Sequence, residues 1–248
     1  GRYTASNGKT AITRHGGDFF WVSECEFDSR DASAALTTVG LGHSSSGKYI
    51  NVNHVVFERN LCWANEALPA ISMKPTNQSV IDCMVRNNIC IGTILIGAAA
   101  SDEIADGIAV LHNTISSTTL ATRITVRDYY GSVVIQNNLS IGYQAGVPTS
   151  PETVRVSNTT LSESAAPEVT GNVMPVAYLN RDLRLDGAST RHTWAQFNVL
   201  GLGSGNRSKI VTLNSEYLPA DIEDTDLLMT PPPEMGAVPE DYYGNPRS

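Results

Sequence analysis

Glu58, Arg86, His112 and Gln136 occupy the same place in four similar phrases, Phe57-Glu-Arg-Asn-Leu-Cys62, Val85-Arg-Asn-Asn-Ile-Cys90, Leu111-His-Asn-Thr-Ile-Ser116 and Ile135-Gln-Asn-Asn-Leu-Ser140. Each stands two residues before a corner residue, Asn60, Asn88, Thr114 or Asn138. If the phrases stack, the four side chains form one outward column stepped by about 5 Å, and Glu58 pairs with Arg86 across one step. His112 then becomes a proton carrier beside Arg86, because imidazole titrates near neutral pH without help from its surroundings. The same column reads equally as a solvated ladder of alternating polar groups.

Paired carboxylates are a second route to chemistry. Asp102, Glu103 and Asp106 lie in the stretch 98–107, and Asp28 and Asp31 in Phe27-Asp-Ser-Arg-Asp31. Two carboxyls flanking a bond can cleave a glycoside, and several oxygens together can hold calcium; in turns, the same residues are ordinary solvated groups. Calcium is the one cation these clusters suggest, since the five histidines lack metal-ligand spacing and no CxxC pair suggests zinc. The glycine-rich phrases His15-Gly-Gly-Asp18 and Gly40-Leu-Gly-His43 lack the lysine and hydroxyl of a phosphate loop, and no Gly-x-Ser-x-Gly elbow is present. Among the aromatics, Trp21, Trp63, Tyr129, Tyr130 and Tyr143 offer flat apolar faces. Trp21 and Trp63 are expected to pack, Trp63 by covering a core edge after Cys62, and one of the adjacent pair Tyr129 and Tyr130 to be exposed, because successive strand residues point oppositely.

These residues need elements to position them, and the four phrases supply the pattern. Their closing apolar residues, Leu61, Ile89, Ile115 and Leu139, recur at steps of 28, 26 and 24 residues, a period that signals a solenoid or propeller. A short strand such as Ser79-Val-Ile-Asp-Cys-Met-Val85 cannot bury its apolar side alone, whereas coils stacked about 4.8 Å apart share one core. Asparagine suits the corner because it tolerates left-handed backbone angles and bonds nearby backbone. The alignment predicts an asparagine ladder through Asn60, Asn88 and Asn138 with Thr114 in the third coil, and a column of small residues at Cys62, Cys90, Ser116 and Ser140. It extends to an earlier coil at 20–27 and a later one at Val154-Arg-Val-Ser-Asn-Thr-Thr-Leu161. Leucine-rich and Trp-Asp signatures are absent, so the expected fold is an all-β parallel solenoid.

The 248 residues, 41% hydrophobic, suffice for one sizeable core. Residues 1–175 read as coils, and 176–248 as an irregular C-terminal cap of the same domain, ending in a proline-rich tail from Thr230. Within that cap, residues 178–185 read as a last strand pair and 190–197 as a short helical or looped segment. A net charge of −8 argues against nucleic acid as partner, and no apolar run is long enough to span a membrane. The opening Gly1-Arg-Tyr-Thr has neither Met nor a signal segment and reads as a processed or chosen start. Cys62, Cys83 and Cys90 sit in apolar phrases, as packed thiols or, for Cys62 and Cys90, as a bridge between coils.

The Asn-Asn corners, the strand Ala70-Ile-Ser-Met-Lys74 ahead of Val85-Arg-Asn-Asn88, and the ending Met235-Gly-Ala-Val-Pro-Glu-Asp-Tyr-Tyr-Gly-Asn-Pro-Arg247 resemble right-handed parallel β-helix proteins of the pectate-lyase-like superfamily. The resemblance covers residues 18–175 and the tail. It implies three sheets and a groove for polysaccharides, as in lyases, hydrolases, epimerases and phage tailspikes. Ile71-Ser-Met-Lys74 is similar to the strand bearing the catalytic lysine in the chondroitinase B and alginate lyase branch, where an arginine on the following coil completes the pair. Here the equivalent strand reads Ile94-Leu-Ile-Gly97, with glycine in that place, and Ile124-Thr-Val-Arg127 shares its register one coil further on. The branch's arginine is thus missing from its place, and stacking supplies another: the shared register puts Lys74 and Arg127 on one side two coils apart, about 10 Å, as base and as neutraliser of a uronic carboxylate, provided neighbouring cations lower the lysine pKa. Arg86 and His112 are further catalytic candidates, and Tyr129, Tyr130, Glu58 and Gln136 candidate substrate contacts. The bland alternative makes Lys74 and Arg127 solvated charges. The expected partner is a polysaccharide, with no cofactor beyond possible calcium, at an extracellular or virion surface, and as a trimer if tailspike-like. A non-catalytic glycan-binding or structural β-helix is the alternative.

Overall fold

The computed structural model describes residues 2–4, 12–14, 18–29, 39–41, 52–64, 69–73, 79–97, 105–116, 124–127, 132–141, 154–157, 168–174, 183–185, 191–192, 196, 199 and 203–208. Short strands rich in Val and Ile wind through three sheets. Sheet I has six strands, Phe20–Ser23, Val52–Glu58, Val80–Arg86, Ala105–Leu111, Val133–Gln136 and Glu168–Thr170. Sheet II has eight, Arg2–Thr4, Glu26–Asp28, Leu61–Trp63, Ile89–Ile91, Thr114–Ser116, Leu139–Ile141, Val173–Met174 and Arg207–Ser208. Sheet III has eight, Ile12–Arg14, Val39–Leu41, Pro69–Met73, Thr93–Gly97, Ile124–Arg127, Val154–Ser157, Leu183–Leu185 and Arg191–His192. Each coil passes from sheet I to II to III, and each strand pairs in parallel with its counterpart in the next coil. The last pair of sheet III, Leu183–Leu185 with Arg191–His192, is antiparallel. The chain is therefore an all-β solenoid of stacked parallel sheets.

Inward residues of all three sheets share one core. Phe27 and Phe57 pack with ring centroids 5.7 Å apart, and the in-register Ile71, Ile94, Ile124 and Val154 are buried in a file along sheet III. Gly92 makes the bend from sheet II to sheet III at φ 140°, and a Cβ there would stand 2.9 Å from the Ala70 backbone nitrogen.

The corner between sheets I and II is a two-residue device. Glu24, Arg59, Asn87, His112, Asn137, Gly171 and Gly205 all have positive φ, and the residue after each immediately precedes its sheet II strand. From the second coil onward that following residue is asparagine: Asn60, Asn88, Asn113, Asn138, Asn172 and Asn206. Each side-chain amide bonds the next carbonyl oxygen, at 3.1, 2.9, 3.0, 2.9 and 3.0 Å along the series. For Asn113, Oδ1 accepts from the backbone N–H and the Nδ2 of Asn88, while Nδ2 donates to Val85 O and Asn138 Oδ1. Both lone pairs and both amide hydrogens are engaged, which is what a fully buried amide requires.

The ladder has no lapse, and this corrects the third coil. Asn113, not Thr114, stands between Asn88 and Asn138, so the steps are 28, 25, 25, 34 and 34 residues. Thr114 pairs instead with Ile89 and Leu139, and Ile115 with Cys90 and Ser140, so Ile115 replaces Ser116 in the expected small-residue column. The physical reason is that His112 takes the left-handed angle that Asn87 and Asn137 take in their coils, and histidine is among the residues that tolerate it. The later coil is also corrected: Val154–Ser157 belongs to sheet III, and the next corner is Gly171 and Asn172. Stacking continues to Arg207–Ser208, beyond the expected loss of repeat at residue 175. In the cap, Leu183–Leu185 forms a strand and Gln196 is helical; the tail from Thr230 lies outside the described residues.

All four cysteines are thiols outside any disulfide, with Cys62 and Cys90 buried side by side in register on sheet II. Burial pushes the Cys62 thiol up, helped by its neighbour Cys90, and pushes Cys83 up from 9.0 to about 12.

Asn113→Ala is expected to cost about 3 kcal/mol or more in urea unfolding, because it strands buried groups on Asn88, Val85 and Asn138, whereas Thr114→Ala costs under about 0.5 kcal/mol. Equal effects would contradict the assigned register. For the thiols, the folded form holds the Cys83 proton more tightly than the unfolded chain does. Its contribution to stability is therefore intact below 9.0 and is lost as pH climbs toward about 12. A urea midpoint that falls over this window in the native chain, and falls less in Cys83→Ala, is the expected outcome.

Candidate functional site

The outward face of sheet I collects the polar side chains that the phrases singled out. Glu58 and Arg86 face each other in register, and Arg86 Nε donates to Glu58 Oε2 at 2.6 Å, as expected from the repeat. Glu58 is far from solvated: its side chain is 4% exposed. Its other oxygen accepts from Trp21 Nε1 at 3.1 Å and lies 3.7 Å from Arg59, which also pairs with Glu24 at 3.0 Å. A carboxylate so enclosed is a structural anchor whose negative charge is stabilised by two guanidiniums and an indole N–H.

The third member of the column is a correction. Leu111, not His112, is in register with Arg86 and Gln136, so the proton carrier does not stand in the Glu58 and Arg86 file. His112 occupies the corner file, where its Nε2 lies 3.4 Å from Asn137 Nδ2. Leu111 is wholly buried although it points away from the interior, and with Ala109, Val134 and Met84 it makes a small second apolar cluster. Gln136 is buried beside it and donates through Nε2 to Glu168. The column is thus neither a relay nor a solvated ladder: it is charged at one end and apolar in the middle.

On sheet III, Ile71, Ile94 and Ile124 share a register, as do Met73, Ile96 and Val126, and Gly97 pairs with Arg127. Arg127 is described at its backbone only, and Lys74, Tyr129, Tyr130 and Tyr143 lie outside the described residues. So do Asp31, Asp102 and Glu103. Asp28 is buried on sheet II. Asp106 Oδ1 accepts from the backbone N–H of Gly107 and Ser132, spending that oxygen on neighbouring backbone rather than on a ligand. Among the described residues no three His, Cys, Asp or Glu side chains gather as a cation site.

Trp63 is half-buried, in keeping with an edge-packing role, but Trp21 is 66% exposed and overturns the expectation that it packs. The reason is alternation: Phe20 packs against the core, so Phe19 and Trp21 on either side of it point outward. Sequence reasoning also missed a file of left-handed residues near the start of the sheet I strands. Phe19, His54, Asp82 and Gly107 all have positive φ, and pairing skips over His54, Asp82 and Gly107 between flanking partners. The left-handed residue breaks the alternation in each of these strands alike, so Val52 and Val55 are both buried and His54 is exposed. Phe19 stacks on His54 at 4.7 Å and 9°, and His54 Nε2 lies 3.4 Å from Asp82 Oδ2. The only signal in the sequence was strands longer by one residue than alternation allows.

Arg86→Met is expected to destabilise the chain by about 3 kcal/mol, since it leaves the enclosed Glu58 carboxylate short of its main partner, and Glu58→Gln in the same chain should restore much of the loss. A change within about 0.5 kcal/mol in urea unfolding would mean an ordinary solvated pair. No protein-family profile, curated protein or solved structure matches this chain.

Proposed function

We propose that this chain is a right-handed parallel β-helix of the pectate-lyase-like kind that acts on a polysaccharide, with a lyase-like site for an acidic polymer along sheet III. The handedness rests on the rule that crossovers between parallel neighbours are almost always right-handed. The observation that carries the functional reading is the register of sheet III: Gly97 beside Arg127, and Met73 beside Ile96. Lys74 follows Met73 directly in the sequence. Were Lys74 to continue the register of Met73, Gly97 would fall between the two cation-bearing positions, with no side chain of its own to fill the space a sugar ring and its carboxylate need.

In the proposed reaction Arg127 neutralises the uronic carboxylate, acidifying the adjacent C–H bond. Lys74, as the free amine, takes that proton; the electron pair forms the new carbon–carbon double bond, and the glycosidic oxygen departs with the bonding pair and is protonated. Lowering of the lysine pKa by neighbouring cations is what the step requires. An extracellular or virion-surface setting suits such a substrate.

A second reading, a non-catalytic glycan-binding or structural β-helix, is favoured by one specific observation. Arg86 is committed to Glu58, and His112 stands outside that file, which leaves sheet I without the proposed proton relay. Incubation with alginate, pectate, chondroitin and neutral glycans separates the two. The lyase reading expects absorbance from unsaturated ends on an acidic polymer, reduced about a hundredfold or more in Lys74→Ala. New reducing ends without absorbance mean hydrolysis, and binding without either signal leaves the module reading.

A further inference from the structure

We propose that Phe19, Trp21 and His54 form an aromatic shelf on the outward face of sheet I that binds the apolar face of an uncharged sugar ring. The shelf rests on the glycan reading above but not on lyase chemistry, and it lies on a different sheet from Arg127.

Phe19 is 79% and Trp21 66% exposed, a large apolar area to leave in water on a sheet whose later coils bury their outward residues Ala109, Leu111 and Val134. Both rings are held rather than loose. The Trp21 indole is tied through Nε1 to Glu58, itself fixed by Arg86, and the Phe19 ring lies almost parallel to His54. Fixed rings lose little conformational freedom when a ligand stacks on them. Phe19 also has φ 53°, an unfavourable angle for a bulky residue. Polar groups that can bond sugar hydroxyls stand beside the rings: His54 is paired with Asp82, and Asn53 with Asp18.

Charge chooses the ligand class. Among the described residues the shelf carries the carboxylates Asp18, Glu24, Glu58 and Asp82, while its guanidiniums Arg59 and Arg86 are both engaged with them. A uronic or sulfated sugar meets net negative potential here, whereas a neutral hexose meets flat apolar faces rimmed by acceptors.

The test is titration of the full chain with neutral gluco-, manno- and galacto-oligosaccharides and with oligogalacturonate, read by tryptophan fluorescence and calorimetry. Binding of a neutral oligosaccharide is expected, weakened about tenfold or more in Trp21→Ala and in Phe19→Ala and largely kept in Trp21→Phe, with unfolding midpoints reported for each variant so that a folding loss is recognised. Neutral binding that survives both alanine variants at full strength overturns the shelf and leaves the glycan reading standing. Oligogalacturonate binding stronger than that of any neutral oligosaccharide and weakened by Trp21→Ala and Phe19→Ala overturns its charge assignment, whereas oligogalacturonate binding indifferent to both variants belongs to sheet III and leaves the shelf to the neutral titrations. Self-association of the native chain that Trp21→Ala abolishes overturns it too, by assigning the rings to a second copy. Absence of binding to any glycan, with no product in the absorbance assay, ends both readings.

Discussion

The buried amide ladder is the constraint on which the rest of this structure depends. In a parallel coil of two dozen or more residues, alternation of apolar side chains opposes a slip of one residue but not a slip of two, which keeps the same side chains inward. Asparagine at the start of sheet II opposes both, because its side chain is buried and has to satisfy two donors and an acceptor at once. Asn88 meets that demand only with Asn113 on one side and Asn60 on the other, and a slip of either size would strand every rung. The left-handed residue before each rung supplies the bend that aims the amide along the axis.

Everything functional is set by that register. It places Arg86 on Glu58, removes His112 from the same file, and lines Gly97 up with Arg127. It also explains the length differences between coils. Steps of 25 and 34 residues are both compatible with one ladder, because extra residues are accommodated between strands without disturbing the corner. The left-handed residues His54, Asp82 and Gly107 stand at matching positions inside sheet I. They leave the inward Val and Cys positions undisturbed and turn one residue per coil outward.

The stacked-strand fold was legible in the sequence because its signal is distributed: four phrases, one period, apolar residues at fixed places. The register of the third coil was not. Leu111-His-Asn-Thr-Ile-Ser116 aligns by eye on its asparagine with Asn87 and Asn137, yet in space that asparagine matches Asn88 and Asn138, since histidine had taken the turn position. With a period of two, that single step exchanges the faces on which Val110 and Leu111 lie. The Glu58 and Arg86 pair was legible because both coils carry the phrase in the same register. Its enclosure was not, because one of the groups that hold Glu58, the Trp21 indole, comes from thirty-seven residues away. The exposed Trp21 escaped for a related reason: aromatic type argues for packing, and only the inward placement of Phe20 decides the matter.

The central claim is that Asn113 is the rung between Asn88 and Asn138. Side-chain amide NOEs in solution test it most directly. The account predicts contacts from the Asn113 side-chain amide to those of both Asn88 and Asn138, with all three slow to exchange with solvent. An Asn113 amide that is solvent-exchanged and contacts neither neighbour, with Thr114 between them instead, would contradict the register and every juxtaposition built on it.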